Sequence, residues 1–348
     1  MLERVEIETG LMSLLKVNMG YKPEESVLIL NDIPLKEEWS ASWNSVLDYL
    51  KRSLMARLSY EILKEKLPGK VHYYVYPMLR QSGMEPPQDA AQELLKYDVI
   101  LAMTSRSLSH TNARKNAADK GARIASMPGI LPEMLSSSGP LAVDYEKIKE
   151  ETLRLAKLLT VASSARVLTE EGTSITLSLE GRTGEADTGL YLKPGEWGNL
   201  PGGEAYIAPV EGSAQGKIVV PAGWGHNLTQ DLMLVFEEGY VVECRGGGPA
   251  GDRLRGLLDF SDPKLRHRRN CAELGVGTNP RARRPDIVLE AEKIKGTVHI
   301  AVGDNLHMGG NTESDLHTDF VIPRPTLIVD GEVIIERGDP GRLSEKTR

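Results

Sequence analysis

Four stretches of the chain carry acids and imidazoles that could meet: NLPGGEAYIAP (199–209), NCAELGVGTNP (270–280), KGTVHIAVGDN (295–305) and GGNTESDLHTDFVI (309–322). In the last, His317 and Asp319 stand two apart. Alternate side chains of a strand share a face, so this imidazole and carboxylate can converge on one cation or simply line a solvent face. Glu273 sits between small and apolar residues, followed by Gly275 and Gly277. A lone acid in such a run costs desolvation energy unless it is paired or bound to metal. His299 lies among apolar residues, as either a hydrogen-bonded core histidine or a ligand, and Glu292 stands seven residues earlier. Glu204 follows a Pro-Gly-Gly turn at the mouth of the strand AYIAP, as a turn acid or a ligand. Carboxylates and imidazoles together suit zinc, cobalt, manganese or iron(II).

The elements that must position them divide the chain. From Ser26 to about Gly129, short apolar runs alternate with helical ones. SVLILND (26–32), VHYYVYPM (71–78), DVILAMT (98–104) and ARIASMPG (122–129) read as strands, and 43–67, 87–96 and 109–120 as helices. That alternation predicts a parallel α/β sheet with helices on both faces. A further helix is predicted over 144–165, with Asp144 as its N-cap. Beyond it come β-rich runs broken by glycine turns, and VDGEV (329–333) signals a hairpin. The expected organisation is an α/β domain over 1–165 and a β-rich α+β metal-binding domain over 166–348.

Composition narrows the function. The net charge of -7 and 5% aromatic content argue against nucleic-acid partners. The basic cluster KLRHRR (264–269), with Arg281, Arg283 and Arg284, reads as a solvated loop, a subunit contact or an anionic-ligand site. Two cysteines, Cys244 and Cys271, are too few for a disulfide framework or a CxxC zinc site and suit a reducing cytoplasm. No apolar run reaches about 18 residues, and the charged N-terminus lacks a signal-peptide core, so a soluble cytoplasmic protein is expected. TSRSLSHTNAR (104–114) follows a presumed parallel strand at its ligand-binding end. There Ser105, His110 and Arg114 could contact substrate, or the cluster could only cap a helix. Trp224 and His226 in GWGHNLTQD (223–231) read as a turn or a pocket wall. Dinucleotide, P-loop, nucleophile-elbow and HExxH motifs are absent from the sequence.

The succession NLPGGEAYIAP, AELGVGTNP, GTVHIAVGDN, HTDFVI and a VDG hairpin resembles the aminopeptidase T family of dinuclear metallopeptidases. TSRSLSHTNARKNAADKGARIASMPGI (104–130) resembles the N-terminal domain of that family. The resemblance implies metal ligands at Glu204, Glu273 (bridging), Glu292, His299, His317 and Asp319, with Glu273 or Glu292 as general base. It implies hydrolysis of short peptides from the N-terminus, a divalent ion such as zinc, cobalt or manganese, and a homodimer. The tyrosine of the peptidases is replaced here by Leu306 and His307, so His307 is a candidate donor. From His299 to His317 is only eighteen residues, and Gly309 and Gly310 are expected to turn that short loop. A shorter-chain branch of the superfamily contains the iron(II)-dependent dihydroxypyridine dioxygenases, which keep the HxD pair but carry histidine where this chain has Glu273. Retention of the glutamate favours hydrolysis, with ring cleavage or a binding protein with a vestigial site as alternatives.

Overall fold

A computed structural model describes residues 3–40, 43–225 and 227–341. The chain forms two compact units, Met1–Tyr145 with Gly189–Gly202, and Glu146–Thr188 with Gly203–Arg348. No helix among the described residues is long and apolar enough to cross a membrane.

The first unit contains helix α1 (Arg4–Ser13), strand β1 (Val27–Ile33), α2 (Trp43–Lys66), β2 (Val71–Pro77), α3 (Gln88–Leu94), β3 (Val99–Met103), α4 (Asn112–Asp119) and β4 (Arg123–Ser126). The strands pair in parallel, as the alternation with helices predicts, because a parallel crossover needs a long connection. Leu28, Leu30, Ile100, Ala102 and Ile124 share a buried cluster with Ala90 and Leu94 of α3 and Ala113 and Ala117 of α4. Helix α2 packs on β1 and β2.

Helix α5 (Tyr145–Val161) leads into the second unit, with β5 (Ser164–Leu168), β6 (Ser174–Ser178) and β7 (Glu185–Asp187). The chain then returns to the first unit, where β8 (Trp197–Asn199) pairs in parallel with β4 and completes the sheet order β2-β1-β3-β4-β8. A single boundary at 165 therefore does not describe the units. From Glu146 the helix belongs with the β-rich unit, and Gly189–Gly202 belongs with the parallel sheet.

The remaining elements are β9 (Glu204–Ile207), β10 (Gln215–Val220), β11 (Leu232–Glu237), β12 (Tyr240–Gly246), α6 (Gly248–Leu258), β13 (Cys271–Gly277), α7 (Val288–Ala291), β14 (Val298–Gly303), β15 (His317–Ile322), β16 (Thr326–Val329) and β17 (Glu332–Ile335). They form two antiparallel sheets, β12-β11-β10-β6-β5-β16-β17 and β15-β14-β13-β9-β7. Both contribute to one apolar core: Val167, Ile175, Leu177, Ile218, Leu234 and Phe236 from the first meet Ile207, Leu274, Val276, Ile300 and Phe320 from the second. Leu155 and Leu159 of α5 and Leu254 and Leu258 of α6 join it. The β16–β17 hairpin turns at Asp330 and Gly331, both at positive φ, as Asp-Gly predicts. The five-stranded sheet thus buries one face in the core, and period-two alternation sends every second side chain to the other face.

Candidate metal centre

That other face carries the chemistry. Leu274 and Val276 enter the core, so Glu273, Gly275 and Gly277 point the opposite way. Register then lines up rows across the sheet, because directly paired residues share a face. Glu273 pairs with Ala301, and Ala301 with Asp319. Gly275 lies between His299 on β14 and Tyr206 on β9, and Tyr206 pairs with Glu185. Gly277 pairs with Glu204, and Glu204 with Asp187. Small residues at 275, 277, 301 and 303 leave room for the larger ones to lean together. At Gly275 the requirement is steric: an added Cβ would lie 2.0 Å from His299 Nε2.

The polar groups form a chain of contacts. His317 Nε2 lies 3.1 Å from Glu273 Oε2 and 3.4 Å from Asp319 Oδ1. His299 Nε2 lies 3.3 Å from the other Glu273 oxygen, Oε1, and 3.5 Å from Glu204 Oε2. The second oxygen of Glu204 accepts from Lys293 Nζ, which also donates to Glu292 Oε1 at 2.8 Å and stands 3.9 Å from Asp187 Oδ2. All of these residues except His317 and Asp319 are buried, and Lys293 is fully so.

Glu273, His317 and Asp319 each offer a ligand atom within 4.8 Å of the others. His317 Nδ1 lies 2.8 Å from the carbonyl oxygen of Asp304. A carbonyl only accepts, so Nδ1 carries a proton there, and Nε2, which faces the two carboxylates, is the nitrogen free to ligate an ion once its own proton is released. A backbone partner that fixes tautomer and ring orientation in this way is usual behind a metal-ligating histidine. The donor set fits a divalent metal ion.

Electrostatics reinforces the fit. Burial alone would push the Glu273 carboxyl up, but hydrogen bonds from His299 and His317 prevail and hold it down to about 2. Burial disfavours the His299 imidazolium, yet Glu273 and Glu204 raise it to about 9. His317 is likewise raised, against burial, by Asp319 and Glu273. Without an ion, protons on the imidazoles supply the positive charge that these acids need.

A family model described as NicX, 2,5-dihydroxypyridine 5,6-dioxygenase, matches residues 23–341. The chain belongs to this family. The 2,5-dihydroxypyridine 5,6-dioxygenase of Pseudomonas putida KT2440 is 24% identical over 268 residues, covering 72% of this chain and 73% of that protein. A solved structure of the 2,5-dihydroxypyridine dioxygenase of P. putida KT2440 superposes with a TM-score of 0.73 at 19% identity, covering 97% of this chain and 98% of that one. The aminopeptidase AmpT of Thermus thermophilus has the same fold, with a TM-score of 0.60 at 15% identity over 96% of this chain and 98% of that one.

In this NicX-family chain the structure gathers Glu204, Glu273, His299, His317 and Asp319 on one sheet face, and it sets Glu292 beside them against Lys293. His307 lies in the turn after β14, its Nδ1 2.9 Å from Asp304 Oδ2. Asp304 therefore orients two histidines, His317 by its carbonyl and His307 by its side chain. The short loop turns as its glycines predict: Gly309 has φ +81, and a Cβ at Gly310 would lie 2.1 Å from Asn305 Cγ. The loop is further held by Glu211, which accepts from Asn305 Nδ2 at 2.9 Å and Asn311 N at 2.7 Å and pairs with Arg182.

The proposed substrate contacts Ser105, His110 and Arg114 lie in the first unit. Ser105 Oγ donates to Asp32 and accepts from Arg52. Thr111 caps α4, and Arg114 stacks over Trp197 with its Cζ 3.6 Å from the ring centre. His110 is half-buried ahead of α4. His226 lies outside the described residues. The basic cluster is engaged locally: Arg268 holds Asp315 through two hydrogen bonds, and Arg266 stacks on Tyr240. Reasoning from sequence missed Lys293, Asp187, Asp304 and the Tyr206–Glu185 pair, whose hydroxyl donates at 3.0 Å. Only the Gly275 and Gly277 spacing signalled how closely the acids and imidazoles approach.

Proposed function

We propose that this chain is a mononuclear metal enzyme that opens the ring of a small hydroxylated N-heterocycle, with Glu273, His317 and Asp319 holding the ion. The observation that carries this reading is the grouping of those three ligand atoms within 4.8 Å on one rigid sheet face. Membership of the dihydroxypyridine dioxygenase family supports the substrate class. An iron(II) ion held by this one-histidine, two-carboxylate set would keep open positions where the ring and oxygen could meet, with the ring itself furnishing the electrons that reduce the oxygen. The protein's share is orientation. Asp304 holds His317 in the tautomer that ligates, and it holds the His307 ring as a general acid-base group is held. His299 steadies Glu273 from the side opposite His317. The reading includes a cytoplasmic homodimer, with assembly checked by light scattering.

A second reading, metal-dependent release of N-terminal amino acids from peptides, is favoured by one specific observation. Glu273 turns one oxygen toward His299 and the other toward His317, as a carboxylate bridging two zinc, cobalt or manganese ions does. In that reading His299 and Glu204 serve the second ion. The discriminating experiment incubates the protein with iron(II) and 2,5-dihydroxypyridine while oxygen uptake and ring absorbance are followed. In parallel, zinc-, cobalt- and manganese-loaded protein is incubated with aminoacyl anilides under argon. Oxygen consumption with loss of the ring supports the first reading. Anilide hydrolysis without oxygen replaces it with the second.

A further inference from the structure

Lys293 is placed where a second metal ion would draw its carboxylates. Its Nζ engages Glu204 and Glu292 and lies 3.9 Å from Asp187. Two of those acids, Glu204 and Glu292, are ones that the peptidase resemblance assigns to metal. The backbone that carries this ammonium is held on both sides. Lys293 ends the turn that follows α7, its N–H donating to Glu290 O at 3.1 Å and its carbonyl accepting from Asn279 N at 2.8 Å. Its side chain is wholly enclosed.

We infer that Lys293 is a built-in cation that takes the place of a second metal ion and confines metal binding to Glu273, His317 and Asp319. This deepens the mononuclear reading above and rests on it for the identity of the first site. Buried carboxylates need counter-charge, and an ammonium with three donors supplies it to several acids at once. A divalent ion arriving beside that ammonium meets like charge at short range in a medium that screens poorly. Lys293 also occupies one oxygen of Glu204 and one of Glu292, removing acceptors that a second coordination sphere would use. His299, whose Nε2 faces both Glu204 and Glu273, then links the lysine cluster to the metal-binding carboxylate. Lys293 is thus a positioning and selectivity residue: it holds Glu204 and Glu292 away from metal and acts on the ion through them.

Metal counting tests this without reference to turnover. The full chain is loaded with excess zinc or manganese and desalted, and its metal is quantified per chain by elemental analysis and native mass spectrometry. Titration calorimetry gives the affinities. The wild type is expected to hold one ion, Lys293→Arg one, and Lys293→Met two, with the second ion bound at least ~100-fold more tightly than any second ion in the wild type. The double variant Lys293→Met with Glu204→Gln should lose the second ion and keep the first. Two ions of comparable affinity in the wild type overturn the inference, as does a folded Lys293→Met that still holds one. If Lys293→Met folds only when refolded with metal, its count in that state decides. One ion without oxygen uptake defeats the ring-opening function and leaves this inference standing. Two ions with oxygen uptake do the reverse.

Discussion

At the β15 side of the five-stranded sheet, Glu273 and Asp319 meet imidazoles; toward β7, Glu204, Glu292 and Asp187 meet the ammonium of Lys293. Both groups lie on one face of one sheet and both solve the problem of buried negative charge. They solve it with different reversibility. An imidazolium can release its proton to make way for a metal ion and then offers that ion a lone pair, whereas an ammonium held by several carboxylates does neither. Burial works against the Lys293 charge, but Glu204, Glu292 and Asp187 outweigh it and raise its pKa. One region is thus exchangeable for an ion, and the other is permanently filled.

The largest expected effect comes from breaking the filled region. Lys293→Met leaves three acids without their cation, and removing one partner of a buried ionic cluster costs about 3–5 kcal/mol. Urea unfolding of the metal-free variant should show a loss of that size, partly restored by a divalent ion. A loss below about 1 kcal/mol would erase the distinction between the regions. Next is the exchangeable region. His317→Ala removes a ligand atom, and since outer-shell changes alone cost about 10–100-fold in metal affinity, this one should exceed ~100-fold by calorimetry. Unchanged metal content would remove His317 from the centre.

The join between the two regions is His299 lying over Gly275. Gly275→Ala puts a methyl where the imidazole rests, 2.0 Å from Nε2, so His299 must move off Glu273 and Glu204. Overpacking of this kind costs about 1–3 kcal/mol. Gly256→Ala in α6 is the control: nothing lies within 4 Å of its added Cβ, and a helical glycine replaced by alanine gains ~0.4–1 kcal/mol. Equal effects from the two would deny the close approach.

Much of this β-rich unit was legible in the sequence because it obeys local rules. The HTD alternation, Glu273 before a glycine run and the Asp-Gly hairpin are all properties of neighbouring residues, and the structure places them accordingly. Lys293 was not legible, since in AEKIKG it reads as one of two lysines in a polar turn. Only tertiary folding shows that Lys293 points inward to Glu204, 89 positions away, while Lys295 pairs with Glu151. The return of β8 to the parallel sheet was hidden for the same reason: three residues, Trp-Gly-Asn, carry no periodicity, and their strand exists only because β4 offers an unpaired edge. Composition averaged over the second half could not reveal a short excursion.

The last expected effect is graded with pH and separates the two regions by their titrating groups. In the metal-free protein His299 is raised to about 9, and His317 is raised as well. The contribution of His299 to stability is complete below the ordinary histidine value of about 6.5 and is lost as pH rises through about 9, and that of His317 is lost as pH rises through its own raised value. Glu292, pushed up to about 8 chiefly by burial, adds a loss in the same direction that ends near its own value. Urea unfolding between pH 5 and 9 should therefore show falling stability, and Glu292→Gln should remove the fall below about 6.5 and lessen the slope from there to about 8, leaving the histidine part above about 6.5. Metal has to displace the imidazole protons, so its apparent affinity should climb about tenfold per pH unit for each proton released. Calorimetry in buffers of different ionisation enthalpy counts those protons. A pH-independent affinity would mean that the ion does not replace imidazole protons, and the exchangeable region would then have to be sought elsewhere on the sheet.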